Sequence, residues 1–450
     1  MHVNVFAMAT PSPLFEGLWR HPEDRSATGY RSLDYWTTMA RKLDDACVDA
    51  LFFADYHGIF DMYQGSWKPA VRRGSSVPLI DPTLLLPAMA VTTEHLGFAV
   101  TYPTYNPPYD TARVFTTLDH LTCGRIAWNI VTSGLKSAYE NGVGEFLEHD
   151  LRYDQADEYL TVVRKLWETS WEDGALRYDA DDDTFADPEH VHQIDHHGKW
   201  YHVRGPFQCE PSPQRVPVLY QAGTSPRGTK FAAQQAEVLF LPLPNPDVGA
   251  RIVADVRRQV AEQGRDPMSL KLLLSCTVLI GQDRVDADAK AETYVRLSSA
   301  EGILVRWCRW TDIDLASYPS EALVSEIPGF GGTQTFLDLL KKVDHQREWT
   351  IGDVRTLVST VVRPGPAAPN ILFGSPEQAA DQMEHWLTAT GVDGFNLMPC
   401  PPTTGVDDIC DLLIPELQRR GMYRTEYDPA EQTLRERYFG SGARAFTTLN

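Results

Sequence analysis

Short runs rich in Val, Ile, Leu and Phe recur along this chain, each followed by a longer segment whose apolar residues have helical spacing. A strand buried on both faces reads as a continuous apolar run, and parallel neighbours need a crossover between them, so the alternation predicts repeated βα units. The runs are residues 3–8, ALFFAD (50–55), LGFAVTY (96–102), RIAWNIV (125–131), PVLYQA (217–222), VLFLPL (238–243), LKLLLSCTVLIG (270–281) and GFNLMP (394–399). Eight such strands in an α/β chain favour a closed (β/α)8 TIM barrel, with an open doubly wound sheet as the rival.

The segments between the strands carry helix signals. Leu33, Trp36, Ala40, Leu43 and Cys47 share one helical face, and Tyr153–Trp167 has the same period. Asp81-Pro82 reads as an N-cap with Pro at the first helical position, and helices are expected from Pro226 and Pro246. Ser375-Pro376-Glu377-Gln378 has the form of a capping box, with Gly391 closing that helix; Val406, Ile409, Leu413 and Leu417 line the last one. Two stretches interrupt the pattern, at about 171–216 and 282–370. One barrel domain over 1–450 is expected, with those insertions and a C-terminal extension from about 422; long insertions usually cover a site or mediate assembly.

The chain has 450 residues and a formal charge of −20, which opposes a phosphate backbone and argues against nucleic acid as partner. No apolar run approaches the ~20 residues of a membrane-spanning helix, and MHVNVFAMATPSPLF has no basic n-region, so a cytoplasmic location is expected. Seven widely spaced cysteines without a CxxC pair indicate neither a disulfide framework nor a zinc ribbon; buried reduced thiols are expected.

In a barrel the chemistry gathers where the strands end. Those positions here are Asp55, Thr104, Asn129–Gly134 (NIVTSG) and Ala222–Gly228 (AGTSPRG), dominated by small and hydroxylated residues. GTSPRGTK (223–230) is not an ATP-type P-loop, because Gly228-Thr229-Lys230 replaces Gly-Lys-Ser/Thr. Gly223 still permits close backbone approach, and Thr224 and Ser225 offer hydroxyls before a helix N-terminus, so a phosphate is expected there. Histidines 190, 192, 196, 197 and 202 fit no zinc spacing and lie in what reads as a hairpin; Asp179, Asp181 and Asp183 lack the Gly and Glu of a calcium loop. No metal site is expected. No GxGxxG opens a helix and no GxSxG is present, which disfavours a dinucleotide site and a serine nucleophile.

GLWRHPED (17–24), VDALFFAD (48–55), GRIAWNIVTS (124–133), EHDLRYDQADEYL (148–160), SPQRVPVLYQAGTSPRG (212–228) and IPELQRRGMY (414–423) together resemble the bacterial luciferase-like flavin monooxygenases. The similarity falls in the group of nitrilotriacetate, dibenzothiophene-sulfone and long-chain alkane monooxygenases and pristinamycin IIA synthase. It implies a TIM barrel and FMN, supplied as FMNH2 by a separate NAD(P)H-dependent flavin reductase. It also implies O2 as co-substrate, activated as a flavin peroxide, and a homodimer or homotetramer. By motif position, Asp55, Ser133, Gly134, Tyr153, Ala222, Gly223, Thr224 and Ser225 match flavin-binding positions, and Thr104 joins them as a strand-end hydroxyl.

The substrate side departs from the alkane branch, where Thr10, Pro13, Phe60 and Gly134 replace its Cys, His, Tyr and His. His57 in ADYHGIF is the candidate catalytic acid or base. Ser75, Ser76, Tyr102, Tyr105 and Asn106 add polar groups on segments expected to form the pocket. A small functionalised organic substrate is therefore expected; long-chain alkane hydroxylation and deazaflavin (F420)-dependent hydride transfer on the same fold are the alternatives.

Overall fold

A computed structural model describes residues 1–11, 13–327, 340, 346–358 and 370–445. Eight strands form a closed parallel barrel: β1 (His2–Ala7), β2 (Ala50–Phe53), β3 (Gly97–Pro103), β4 (Ile126–Val131), β5 (Val218–Gln221), β6 (Val238–Leu241), β7 (Lys271–Ile280) and β8 (Gly394–Pro399). Each pairs with the next, and the ring closes where His2 of β1 lies opposite Gly394 of β8. The eight apolar runs are these eight strands, each within a residue or two of its expected ends.

Alternation along the strands separates two layers. Ala50, Phe52, Val218, Tyr220, Val238 and Phe240 share the barrel interior. Leu51, Phe53, Leu219 and Leu239 instead pack outward with the helices, among them α1 (Leu33–Asp45), α2 (Pro108–Leu121), α3 (His149–Glu168), α4 (Pro226–Gln235) and α5 (Pro246–Glu262). Leu33 is 54% exposed, so the buried face of α1 is Tyr35, Trp36, Met39, Ala40 and Leu43. The capping box at Ser375 and the left-handed Gly391 bound the helix Pro376–Thr390 as expected.

Both interruptions are structured where described. The first contains two hairpins, Leu176–Asp179 with Thr184–Ala186 and His196–His197 with His202–Val203. The second begins with α6 (Arg284–Leu297) and α7 (Ala300–Thr311), and a short strand, Ile371–Gly374, which the sequence reading omits, pairs with β7. Of the cysteines, Cys123 is exposed and Cys209 half-buried, against the expectation of burial; the other five are buried.

The N-terminal end of the barrel is stoppered by the C-terminal segment. Leu434 and Tyr438 of α8 (Leu434–Phe439) enter the interior cluster, and Tyr438 donates its hydroxyl to Asn4 Oδ1 at 2.8 Å. Arg435 pairs with Glu237 at 2.8 Å with both side chains buried, and its charge holds that carboxyl below the usual range against the cost of burial. The opposite, C-terminal mouth is left for the site. Among the described residues no helix is long and apolar enough to cross a membrane.

Candidate active site

A cavity of about 280 Å³ opens at the C-terminal mouth, between the ends of β2 and β5. Strand ends and the turns after them supply Asp55, Tyr56, Phe60, Pro103, the stretch Ile130–Leu135, Gln221, Ala222 and Gly223; α3 supplies Tyr153, and α7 supplies Arg309 and Trp310.

One side is a cradle in which glycine lets backbone and side chains approach closely. A Cβ on Gly223 would lie 2.4 Å from Gln221 Nε2 and 2.7 Å from the Tyr153 hydroxyl, and one on Gly228 would lie 2.8 Å from that hydroxyl. Tyr153, in the first turns of α3, is buried; burial pushes its phenol up, opposed by the nearby side chains of Ser225, Thr132 and Gln221. Ser225 caps α4, accepting from the Gly228 N–H at 3.0 Å. Arg227 is pinned by Asp154 and Asp157, its guanidinium over the Tyr153 ring. The cradle therefore offers hydroxyls and helix N–H groups to an anion. Ser133 adds a backbone outlier at φ 41°, a left-handed conformation for a residue with a Cβ, which places strain at the mouth.

The other side holds ionisable groups. Burial, then the Asp81 charge, push the Asp55 carboxyl up to about 7. Tyr56 donates its hydroxyl to Ser76 at 3.1 Å. Next to it, Glu16 and Arg306 form a buried pair at 3.0 Å that ties the loop after β1 to α7; burial brings the Glu16 carboxyl to about 7, with Arg306 opposing the rise.

Asp55, Ser133, Gly134, Tyr153, Ala222 and Gly223 thus come together in the lining, as the sequence anticipates. Ser225 meets Tyr153 behind the cradle, whereas Thr224 lines a separate groove with α5. Thr104 is buried beside the mouth, its N–H donating to Val131 O at 3.0 Å. His57 is exposed, its ring 5.4 Å from that of Tyr105, and is not part of the lining. Nor are Ser75, Ser76, Tyr102, Tyr105 and Asn106: Ser75 bonds Gly302 O, Ser76 takes the Tyr56 hydroxyl and Asn106 donates to Pro103 O, so these three are spent within the wall, while the buried Tyr105 hydroxyl has no hydrogen-bond partner. Sequence reasoning missed Arg309 and Trp310; their one signal is WCRW (307–310), an aromatic and basic cluster inside an otherwise apolar helical stretch. Three of the histidines of the first interruption are engaged by carboxylates, His190 and His192 by Glu172 and His196 by Glu158, while His197 and His202 face each other with ring centroids 5.7 Å apart. Among the described residues no cluster of three or more His, Cys, Asp or Glu is placed to hold a metal.

The model of the luciferase-like monooxygenase family matches residues 17–394. The chain belongs to that family. This luciferase-like monooxygenase is 42% identical over 445 residues to the long-chain alkane monooxygenase of Geobacillus thermodenitrificans (strain NG80-2), covering 98% of this chain and 94% of that one. It is 41% identical to the dimethyl-sulfide monooxygenase of Hyphomicrobium sulfonivorans, covering 98% and 90%. A crystal structure of riboflavin lyase with modified FMN and riboflavin superposes with a TM-score of 0.87 at 31% identity, covering 98% and 96%. A flavin oxygenase working with reduced FMN and O2 goes with this membership, and the glycine-built anion cradle at the barrel mouth fits a flavin phosphate.

Proposed function

We propose that this monooxygenase oxygenates a small functionalised organic molecule in the cavity at the β2–β5 mouth, using reduced FMN from a separate NAD(P)H-dependent flavin reductase. The observation that carries this reading is one cavity bounded by both a glycine-built anion cradle and a wall of ionisable and aromatic side chains. Asp55, Thr104, Ser133, Gly134, Tyr153 and Ala222–Ser225 are assigned to FMN, with Tyr153, Gly223 and Ser225 on its phosphate. When bound, the flavin supplies the oxygen activation, and the protein supplies orientation, a dry environment and proton control.

Phe60, Ile130, Val131 and Trp310 provide the apolar lining that keeps water out, and α7 closes that wall from the second interruption. Inside the cavity the group suited to hold or release a proton near neutral pH is Asp55, rather than the exposed His57. The lack of a GxGxxG motif supports an external source of reducing equivalents. The test is NADH consumption with FMN in air. Negligible turnover by the purified chain alone, and product formation from a panel of ketones, sulfones and heteroaromatics once a reductase is added, are expected. Rapid NADH oxidation by the chain alone would overturn the two-component reading.

A further inference from the structure

Several buried or largely buried arginines here have a buried or partly buried carboxylate: Arg435 has Glu237, Arg424 has Asp49, Arg306 has Glu16, Arg257 has Asp393; buried Arg125 and Arg437 instead donate to backbone carbonyls. Two half-buried arginines, one in the cavity lining and one beside it, have no buried carboxylate. Arg309, in the lining, has Asp312 as ion partner at 3.2 Å, and that side chain is 71% exposed. Arg152 donates Nη1 to the Leu147 carbonyl at 3.3 Å, lies over the Phe146 ring, and keeps a buried Nε with no partner in the structure.

Both guanidinium groups converge on Gly134: a Cβ there would be 3.4 Å from Arg309 Nη2 and 3.7 Å from Arg152 Nη2. The absent side chain lets both guanidinium groups approach the backbone there, and Gly134 and Arg309 both line the cavity. Burial, and to a smaller degree the Arg152 charge, disfavour the charged form of Arg309, while Asp312 supports it. Two like charges brought together in a partly desolvated wall without an internal counter-ion are costly, and an incoming anion relieves that cost. One turn before Arg309, Arg306 is anchored to buried Glu16 and its guanidinium lies over Trp310.

Building on the oxygenase reading, we propose that Arg309 and Arg152 form a subsite for an oxyanion on the substrate, so that the enzyme acts on organic acids carrying a carboxylate, sulfinate or sulfonate. A planar guanidinium matches the paired oxygens of such groups, and the anion would be received beside Gly134. The flavin phosphate shares this chemistry and has its own cradle at Tyr153, Gly223 and Ser225.

The test uses the full chain saturated with oxidised FMN, titrated calorimetrically with benzenesulfonate and with its neutral counterpart methyl phenyl sulfone. Wild type should bind the sulfonate at least about tenfold more tightly. Arg309→Gln and Arg152→Gln should each reduce that preference at least about fivefold, with FMN affinity held within about twofold and Arg309→Lys retaining part of the preference. Equal binding of the two probes by wild type, no binding of either, or an unchanged preference in both variants would overturn the subsite. So would loss of FMN affinity in both variants with riboflavin affinity intact, which would give the arginines to the flavin phosphate. Failure of wild type to bind FMN at all would instead sink the oxygenase reading on which the subsite rests.

Discussion

Asp55 is harder to ionise in the folded chain than in the unfolded one, because burial and the Asp81 charge bring its carboxyl to about 7. Below about pH 4 it is protonated in both states and has no effect on stability. As pH rises from about 4 to about 7 the unfolded chain releases the proton first, so folding loses stability, and above that range the penalty is constant. Asp55→Asn removes the charge and keeps the shape. It should therefore raise Tm at about pH 8 and leave it nearly unchanged at about pH 4; an equal gain at both would show that Asp55 ionises normally in the cavity. The sequence locates Asp55 because it follows an apolar strand, and barrel chemistry gathers at strand ends. It does not reveal that His57, two positions on, faces solvent, since a loop's turn direction depends on packing against Tyr105 and the rest of the wall. Arg309 was illegible for a related reason: it reaches the mouth from a helix whose docking depends on the buried Glu16–Arg306 pair.

At the scale of elements, α4 presents its N-terminus to the cradle, and Ser225 is both its cap and a neighbour of the Tyr153 hydroxyl. Ser225→Asp separates those roles, because aspartate caps as well as serine but adds a negative charge where the phosphate is assigned. The variant should keep its Tm and bind FMN more weakly by at least ~1 kcal/mol, about fivefold, while riboflavin binding is unaffected. Fluorescence titration with both flavins measures this; unchanged FMN affinity would place the phosphate elsewhere. Helices and strands with strong local signals were legible, including the Ser375 capping box and the Pro-started α4 and α5. The strand Ile371–Gly374 was not, since so short a run gains its identity from pairing with β7 rather than from its own pattern. The face of α1 shifted for a similar reason: helical period fixes the spacing, but tertiary packing selected Tyr35 and Met39 over Leu33.

At the scale of the whole molecule, the barrel was legible because eight apolar runs and their crossovers leave few topologies, whereas the stopper is a long-range contact with no local signature. Arg435→Met leaves Glu237 buried without its cation, which costs about 3–5 kcal/mol and should lower Tm by several degrees. Adding Glu237→Leu should restore much of that loss, because a buried pair is readily replaced by apolar side chains; an unaltered Tm in the single variant would mean that the stopper contributes little to the fold. The mouth opposite decides the substrate. Identity cannot do so, as the chain is 42% identical to an alkane monooxygenase and 41% identical to a dimethyl-sulfide monooxygenase. The lining can. A hydrocarbon offers nothing to Arg309 or to other polar groups of the lining that the flavin does not take up, and each polar group deprived of water without a new partner costs about 1–3 kcal/mol. A substrate bearing oxygen, nitrogen or sulfur groups satisfies them and is bound in preference. Incubation with a flavin reductase, O2 and hexadecane should therefore consume NADH without coupled alkanol formation, while aromatic or cyclic substrates with polar groups, acids above all, should be converted. Efficient conversion of hexadecane to an alkanol would show that Arg309 turns away from the bound substrate, and would restore alkane hydroxylation as the activity of this chain.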